Sequence, residues 1–257
     1  MRILAIGDVT SQGGLNHLCR NLARIKRERN IDFCVVNAEN ASFISGINAE
    51  GADRLLLSGA DVITGGNHTL QANGIGEYLE DRRDVLRPIN YGDYAPGVGY
   101  TVIDMGRTRV LVVNAMGNSF IEPVLDNPYP YIDRMLKELA GKYDIAVLDI
   151  HAESTGEKLA LAFNYDSVFS VIFGTHTHVP TADGRILPGG TGYISDLGMC
   201  GESGGIMGMD PASVIVKMKM RLPGRFKLAE GPVLADGVIF TVDEASGKTT
   251  EIERIRF

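Results

Sequence analysis

Short apolar runs rich in β-branched residues alternate, along the first third of the chain, with stretches whose apolar residues fall at helical spacing. That pattern calls for a sheet with helical crossovers. Residues 3–6 form the first run, and Leu15, Leu18, Leu22 and Ile25 follow at intervals of three and four before the second run at 33–36. A helix candidate at Leu55 to Leu57 leads to a third run at 62–64, after which Ile75, Tyr78 and Leu79 share one side of a short helix. Strands joined by such crossovers lie parallel, so residues 1–90 read as a βαβ opening.

The pattern changes near residue 100, where Thr101 to Met105 and Val110 to Val113 flank Gly106-Arg107 and predict an antiparallel hairpin. Residues 122–130 contain three prolines and read as an exposed loop before a helix carrying Ile132, Met135, Leu136 and Leu139. Strand candidates at 144–150 and 168–173 flank a helix whose start is marked by a capping box, Ser154-Thr155-Gly156-Glu157. Asp210-Pro211 favours a helix start, although Val214, Val216, Met218 and Met220 alternate as a strand would. Residues 238–242 and 250–255, joined by Glu244-Ala245-Ser246-Gly247, read as a closing hairpin. No repeat or Pro/Gly/Ser-rich linker divides the chain, so residues 1–257 are expected to form one α/β domain.

Composition narrows the function classes. A chain of 257 residues, 44% hydrophobic and 22% charged, suits a globular domain with a sizeable core and excludes disordered or fibrous classes. The 25 basic residues against 32 acidic ones give a net charge of -7, which argues against a protein that grips duplex nucleic acid. Cys19, Cys34 and Cys200 are odd in number with no CxxC, which points to a reducing compartment. No run approaches the roughly 20 apolar residues of a membrane span, and Asp8 comes too early for a signal peptide. A cytoplasmic protein with no membrane partner is the expectation.

Polar residues cluster just past the strand candidates. Asp8 follows the first run, Asn37, Glu39 and Asn40 the second, and Asn67-His68 the third, while His151, His176 and His178 follow the later ones. In open α/β sheets ligands bind outside those carboxyl ends. Four of the five histidines occupy such positions, and His176-Thr177-His178 would aim both imidazoles one way on an extended segment. Imidazoles mixed with carboxylates and amides suit Mn, Fe, Zn or Ni. The set exceeds the needs of one ion, and two ions roughly 3.5–4 Å apart, sharing a carboxylate, would use it; a single-ion site is the alternative. His17 has no assigned role.

The ordered set Gly7-Asp8, Asn37-Ala38-Glu39-Asn40, Gly66-Asn67-His68, His151 and Gly174-Thr175-His176-Thr177-His178 resembles the calcineurin-like metallophosphoesterase superfamily, and within it the bacterial YmdB-like cyclic-nucleotide phosphodiesterase branch. The later Val179-Pro180-Thr181 and Gly208-Met209-Asp210 extend the resemblance along the chain. It implies a four-layer α/β/β/α sandwich with a dinuclear metal site at strand C-terminal ends. It also implies that Glu39 bridges two Fe or Mn ions, that Asp8, Asn40 and His178 complete one shell, and that Asn67, His151 and His176 complete the other. His68 would protonate the leaving group after attack by a metal-bridging hydroxide on a 2',3'- or 3',5'-cyclic nucleotide. The same resemblance suggests a homo-oligomer.

Three segments depart from the branch's pattern: Ser11-Gln12-Gly13-Gly14-Leu15, which lacks an expected arginine, Thr69-Leu70, and Gly201-Glu202-Ser203-Gly204-Gly205. They are expected to shape the substrate pocket. A broader nucleotide or sugar-phosphate phosphatase and a metal-containing sensor with little turnover are the competing expectations. A nuclease is disfavoured by charge.

Overall fold

The computed structural model describes residues 1–42, 46–221, 223 and 225–257. Its elements are β1 (Arg2–Ile6), β2 (Asp8–Val9), α1 (Gln12–Glu28), β3 (Phe33–Asn37), α2 (Ala49–Leu57), β4 (Val62–Thr64), α3 (Ile75–Glu80), β5 (Tyr100–Asp104) and β6 (Arg109–Met116). There follow α4 (Pro128–Glu138), β7 (Ile145–His151), α5 (Thr155–Asn164), β8 (Val171–Thr175), β9 (Arg185–Ile186), β10 (Gly192–Ile194), β11 (Met199–Glu202), α6 (Pro211–Met220), β12 (Val233–Asp243) and β13 (Lys248–Arg256).

The change of pattern at residue 100 marks a second sheet. The first sheet runs β2-β11-β12-β1-β3-β4, with β13 paired to β12, and its β1, β3 and β4 are parallel as the crossovers require. The closing hairpin β12/β13 lies antiparallel against β1, with Phe240 opposite Ile3. The second sheet runs β5-β6-β7-β8-β10-β9; the β5/β6 hairpin forms as expected, and β6, β7, β8 and β10 are parallel.

Strands buried on both faces read as continuous apolar runs because alternate residues serve different cores. Ile3, Ala5, Phe33 and Val35 of the first sheet pack with Val110, Val112, Val147 and Phe173 of the second. Their neighbours Leu4, Ile6, Cys34 and Val36 pack instead against Leu15, Leu18 and Leu22 of α1 and Leu55 of α2. On the second sheet Leu111, Val113, Leu148 and Ile150 meet Ile132 and Met135 of α4 and Leu161 of α5.

Helix starts follow cap chemistry. Asp210 accepts a hydrogen bond from the Ser213 amide and Pro211 fills the first position, so 211–220 is a helix. The strand-like alternation there marks no buried face, since only Val214 of that helix is buried. The loop expected to extend to Pro130 ends at Asn127, which caps α4; Pro128 and Pro130 lie in the first turn, where a missing N–H costs nothing. Ser154 caps α5 as expected, but the Glu157 carboxylate turns away from the box to accept the amides of Asn118 and Ser119. Among the described residues no helix is long and apolar enough to cross a membrane.

Phe33 is fully buried where the two sheets meet. Phe33→Ala should therefore cost about 3–5 kcal/mol, read as a lower urea midpoint in equilibrium unfolding. A loss under about 1 kcal/mol would contradict a packed inter-sheet layer.

Candidate active site

Parallel pairing brings the carboxyl ends of β1, β3, β4, β7 and β8 to one rim. Asp8 is held in the short β2, where its amide donates to Gly198 O at 3.1 Å. Glu39 and Asn40 follow β3, Asn67 and His68 follow β4, His151 ends β7, and His176 and His178 follow β8. Donor atoms of Asp8, Glu39 and His178 all lie within 4.8 Å of one another. Nε2 of His151 forms a second focus, 2.9 Å from Asn67 Oδ1, 3.2 Å from His176 Nδ1 and 3.9 Å from Glu39 Oε2. Glu39 thus stands between the two groups, and the Asn40 amide donates to its other oxygen, Oε1. The His151 ring leaves no room at Gly66, where a Cβ would lie 2.3 Å from Nε2.

His68 sits at the edge. Its amide donates to Glu39 Oε2 at 3.2 Å, its Nδ1 lies 2.9 Å from Gln71 Oε1, and its Nε2 lies 3.4 Å from Asn67 Nδ2. All eight residues to which the resemblance gives a role meet here.

One expectation is overturned: His176-Thr177-His178 is not extended. His176 has φ 101° and His178 has φ 62°, left-handed conformations that cost about 1–3 kcal/mol each. Buried carboxylates impose the curl. The His176 amide donates to Asp8 Oδ2 at 3.0 Å, while the Thr177 amide and hydroxyl donate to Asp196 Oδ2 at 3.0 and 2.8 Å. Asp196 is in turn paired with Lys158 Nζ at 2.9 Å, and both side chains are sealed from solvent.

A second buried carboxylate orients His151. Asp149 accepts the Thr175 hydroxyl at 2.8 Å, the Thr64 hydroxyl at 2.5 Å and the Asn37 amide at 2.9 Å. With its proton given to Asp149, Thr175 Oγ1 must accept from His151 Nδ1, 2.9 Å away. That fixes the tautomer and leaves the Nε2 lone pair facing the site. Asn37 is therefore a buried tie, bonded also to Gly65 O, and not one of the converging donors. Sequence reasoning misses Asp149, Thr175, Lys158 and Asp196. The available signal is a charged residue, Asp149, inside the apolar run 145–150.

The electrostatics are those of a site built around positive charge. Burial, then Asp196 and Glu39, raise the Asp8 carboxyl well above its ordinary value. Burial pushes Glu39 up to about 8 and Asp149 up to about 6. It also depresses the imidazoles of His151 and His176, and lowers His178 to about 4. Among the described residues, Oδ1 of Asp8 and Nδ1 of His178 are buried without a hydrogen-bond partner, and the His151 Nε2 lone pair faces an amide oxygen at 2.9 Å. Two acceptors that close repel unless a cation lies near them. Two carboxylates, two amides and three neutral imidazoles, with no thiolate, are a donor set that fits transition-metal ions.

Comparison with known proteins supplies a class. A Bacillus subtilis (strain 168) protein named 2',3'-cyclic-nucleotide 2'-phosphodiesterase is 40% identical over 255 residues, covering 99% of this chain and 96% of that one. The crystal structure of a Mycoplasma pneumoniae phosphatase is 32% identical, covers 100% of this chain and 93% of that one, and superposes with a TM-score of 0.92. A hypothetical protein from Thermus thermophilus gives the same TM-score, 0.92, at 33% identity, with 100% of this chain and 99% of that one covered. The class that fold and relatives define is hydrolases of phosphoric esters on the calcineurin-like fold. Residues 4–255 match the family model described as YmdB-like protein, and the chain belongs to that family.

Lys158→Met should leave Asp196 a buried, unpaired carboxylate at a cost of about 3–5 kcal/mol, measured by urea unfolding. A change below about 1 kcal/mol would show that the pair does not hold the curl. The metal-free protein should also respond to pH. Glu39, ordinarily near 4.5, keeps its proton in the fold up to about 8, so its contribution falls as pH rises across that window. His178 acts oppositely, staying neutral in the fold down to about 4 while the unfolded chain is protonated below 6.5. Below pH 6.5 the raised carboxyls, Asp8 and Asp149 among them, oppose the depressed imidazoles, His151 and His176 included, and above it only the carboxyl side remains. Stability in EDTA should therefore drop from pH 6.5 to 8; a rising profile would contradict the buried carboxyl.

Proposed function

We propose that the chain is a dinuclear metal-dependent phosphodiesterase that hydrolyses cyclic nucleotides, acting as one domain over residues 1–257 in the four-layer α/β/β/α arrangement of metallophosphoesterases. The observation that carries the reading is the position of Glu39 between two groups of donors. Asp8, Asn40 and His178 would hold one ion and Asn67, His151 and His176 the other, with Glu39 shared. Iron and manganese suit this donor set. When bound, such ions lower the pKa of water and neutralise phosphate oxygens.

The chain's own residues do the rest. Asp149 through Thr175 keeps His151 in the ligating tautomer, and Asp196 with Lys158 holds the curl that presents His176 and His178. Gln71 engages Nδ1 of His68, which leaves Nε2 to carry a proton to the departing ribose oxygen. The Bacillus relative's name favours 2',3'-cyclic nucleotides as substrates. A broader phosphatase activity is the second reading, favoured by the name of the Mycoplasma relative. The three cysteines stand free, which supports a reducing, cytoplasmic setting.

Protein stripped of metal and reloaded with manganese should hydrolyse 2',3'-cyclic AMP. His68→Ala should keep its metal but lose about 10²–10⁴-fold in kcat, whereas Glu39→Ala should lose both metal and turnover. Initial rates together with metal analysis decide the matter. Metal loss from the His68 variant would refute the division of roles, and an inactive wild type carrying two ions would refute the phosphodiesterase reading.

A further inference from the structure

A groove of about 230 Å³ opens directly beside His178, between the segment after β8 and the lobe formed by β11 and the turn that follows it. Pro180, Met199, Met207 and Leu234 give its walls their apolar part, and Ser203 and the Asp236–Arg256 pair give them a polar part of similar extent. The charges at its side, Asp236 and Arg256, neutralise each other through an ion pair of 2.7 Å. A cavity below the roughly 300–1,000 Å³ that encloses whole ligands suits one fragment of a substrate. Walls of this mixed character ask for an uncharged fragment with apolar faces and a polar edge, and continuity with His178 ties the rest of that substrate to the candidate metal site.

Met207 is the distinctive feature. The Ile206 amide donates to Met209 O at 2.8 Å and the Met209 amide donates to Ile206 O at 3.0 Å, closing a tight turn. Its two central residues, Met207 and Gly208, have φ 51° and 81°. This is the geometry of a type I′ turn, whose first central position ordinarily takes Asn, Asp or Gly. A methionine there is strained, yet its side chain is 47% exposed and lines the groove. Strain kept at a site's edge points to function, and a thioether is a good face for an aromatic ring.

We propose that this groove binds the nucleobase of the substrate, with the Met199 and Met207 thioethers against the heterocycle and the phosphodiester at the His178 end. The assignment rests on the phosphodiesterase reading above and adds to it where recognition of the base occurs. It makes the 199–209 lobe the determinant of affinity for nucleosides, while the strand-end donors serve any phosphodiester.

Met207→Gly tests it without endangering the fold, because glycine suits the left-handed position, and Met207→Asn keeps the turn with a polar side chain. Both should raise KM for 2',3'-cyclic AMP about five- to tenfold, the loss of one sulfur–aromatic contact, with kcat within about twofold. On glycerol 1,2-cyclic phosphate, which has no base, kcat/KM should be unchanged. Adenosine alone should shift the ε-methyl NMR signals of Met199 and Met207 in the wild-type protein. Equal losses on both diesters, no change on either, or methyl signals silent to adenosine would each overturn the assignment. If the methyls shift but the wild type cleaves neither diester, the base site stands and the phosphodiesterase reading falls.

Discussion

Charged and polar donors buried at the top of an apolar core raise the free energy of the fold unless each is held by a partner, and the organisation of the rim follows from that constraint. Asp149 and Asp196 lie under the donors as two anchored carboxylates. Three side chains from three strands converge on Asp149: Asn37 of β3, Thr64 of β4 and Thr175 of β8. Because β3 and β4 belong to the first sheet and β7 and β8 to the second, this one carboxylate ties the sheets together at the end where the apolar layer gives out. The tie that closes the core is the same group that sets the orientation of His151.

Asp196 solves a different problem. Two imidazoles enter the rim from the short segment after β8, and they serve different foci: His176 lies beside His151, and His178 beside Asp8 and Glu39. An extended segment would set both side chains in line on one face. Curling the backbone at His176 and His178 separates them, and the strain is offset by hydrogen bonds from consecutive amides to Asp8 and Asp196. Lys158 makes a second buried carboxylate tolerable so close to Asp8, since its ammonium lies 2.9 Å from Asp196. The stem of the lysine reaches there from α5, a helix packed on the outer face of the second sheet through Leu161. Outer helix, sheet and rim are thereby linked in one chain of contacts.

The converging donors are legible in the sequence because each follows an apolar run, and a run's end in an α/β chain is where ligands bind. Asp8, Glu39, Asn67 and His151 need nothing more. The supports beneath them are not legible, because their partners lie far off in sequence: Lys158 and Asp196 are 38 positions apart, Asn37 and Asp149 are 112 apart. Local pattern reports burial and period, and a buried charge surrounded by apolar residues looks like an interruption until its partner is known. The curl at 176–178 is hidden for a related reason, since histidine tolerates a positive φ better than most residues but does not require one. The start of α4 is ambiguous because proline signals both a loop and a first helical turn.

Two of the segments expected to depart from the branch's pattern, 11–15 and 201–205, lie against each other. Ser11 caps α1 by accepting the Gly14 amide at 2.9 Å, and a Cβ on Gly14 would fall 2.2 Å from Cys200 O, so α1 begins in contact with β11. Next to it Gly13 lies against the Glu202 carboxylate, whose Oε1 would be 2.3 Å from a Cβ there. A side chain at position 14 would collide with the β11 backbone, and one at position 13 would have to displace the Glu202 carboxylate. Both flank Asp8, through β2 on one side and β11 on the other, and β11 continues into the lobe that carries Met207. Both segments lie on the side of the rim that leads to the groove beside His178. In the proposed reading chemistry and recognition fall to different parts of the fold, the first to strand ends locked to buried carboxylates and the second to the lobe after β11.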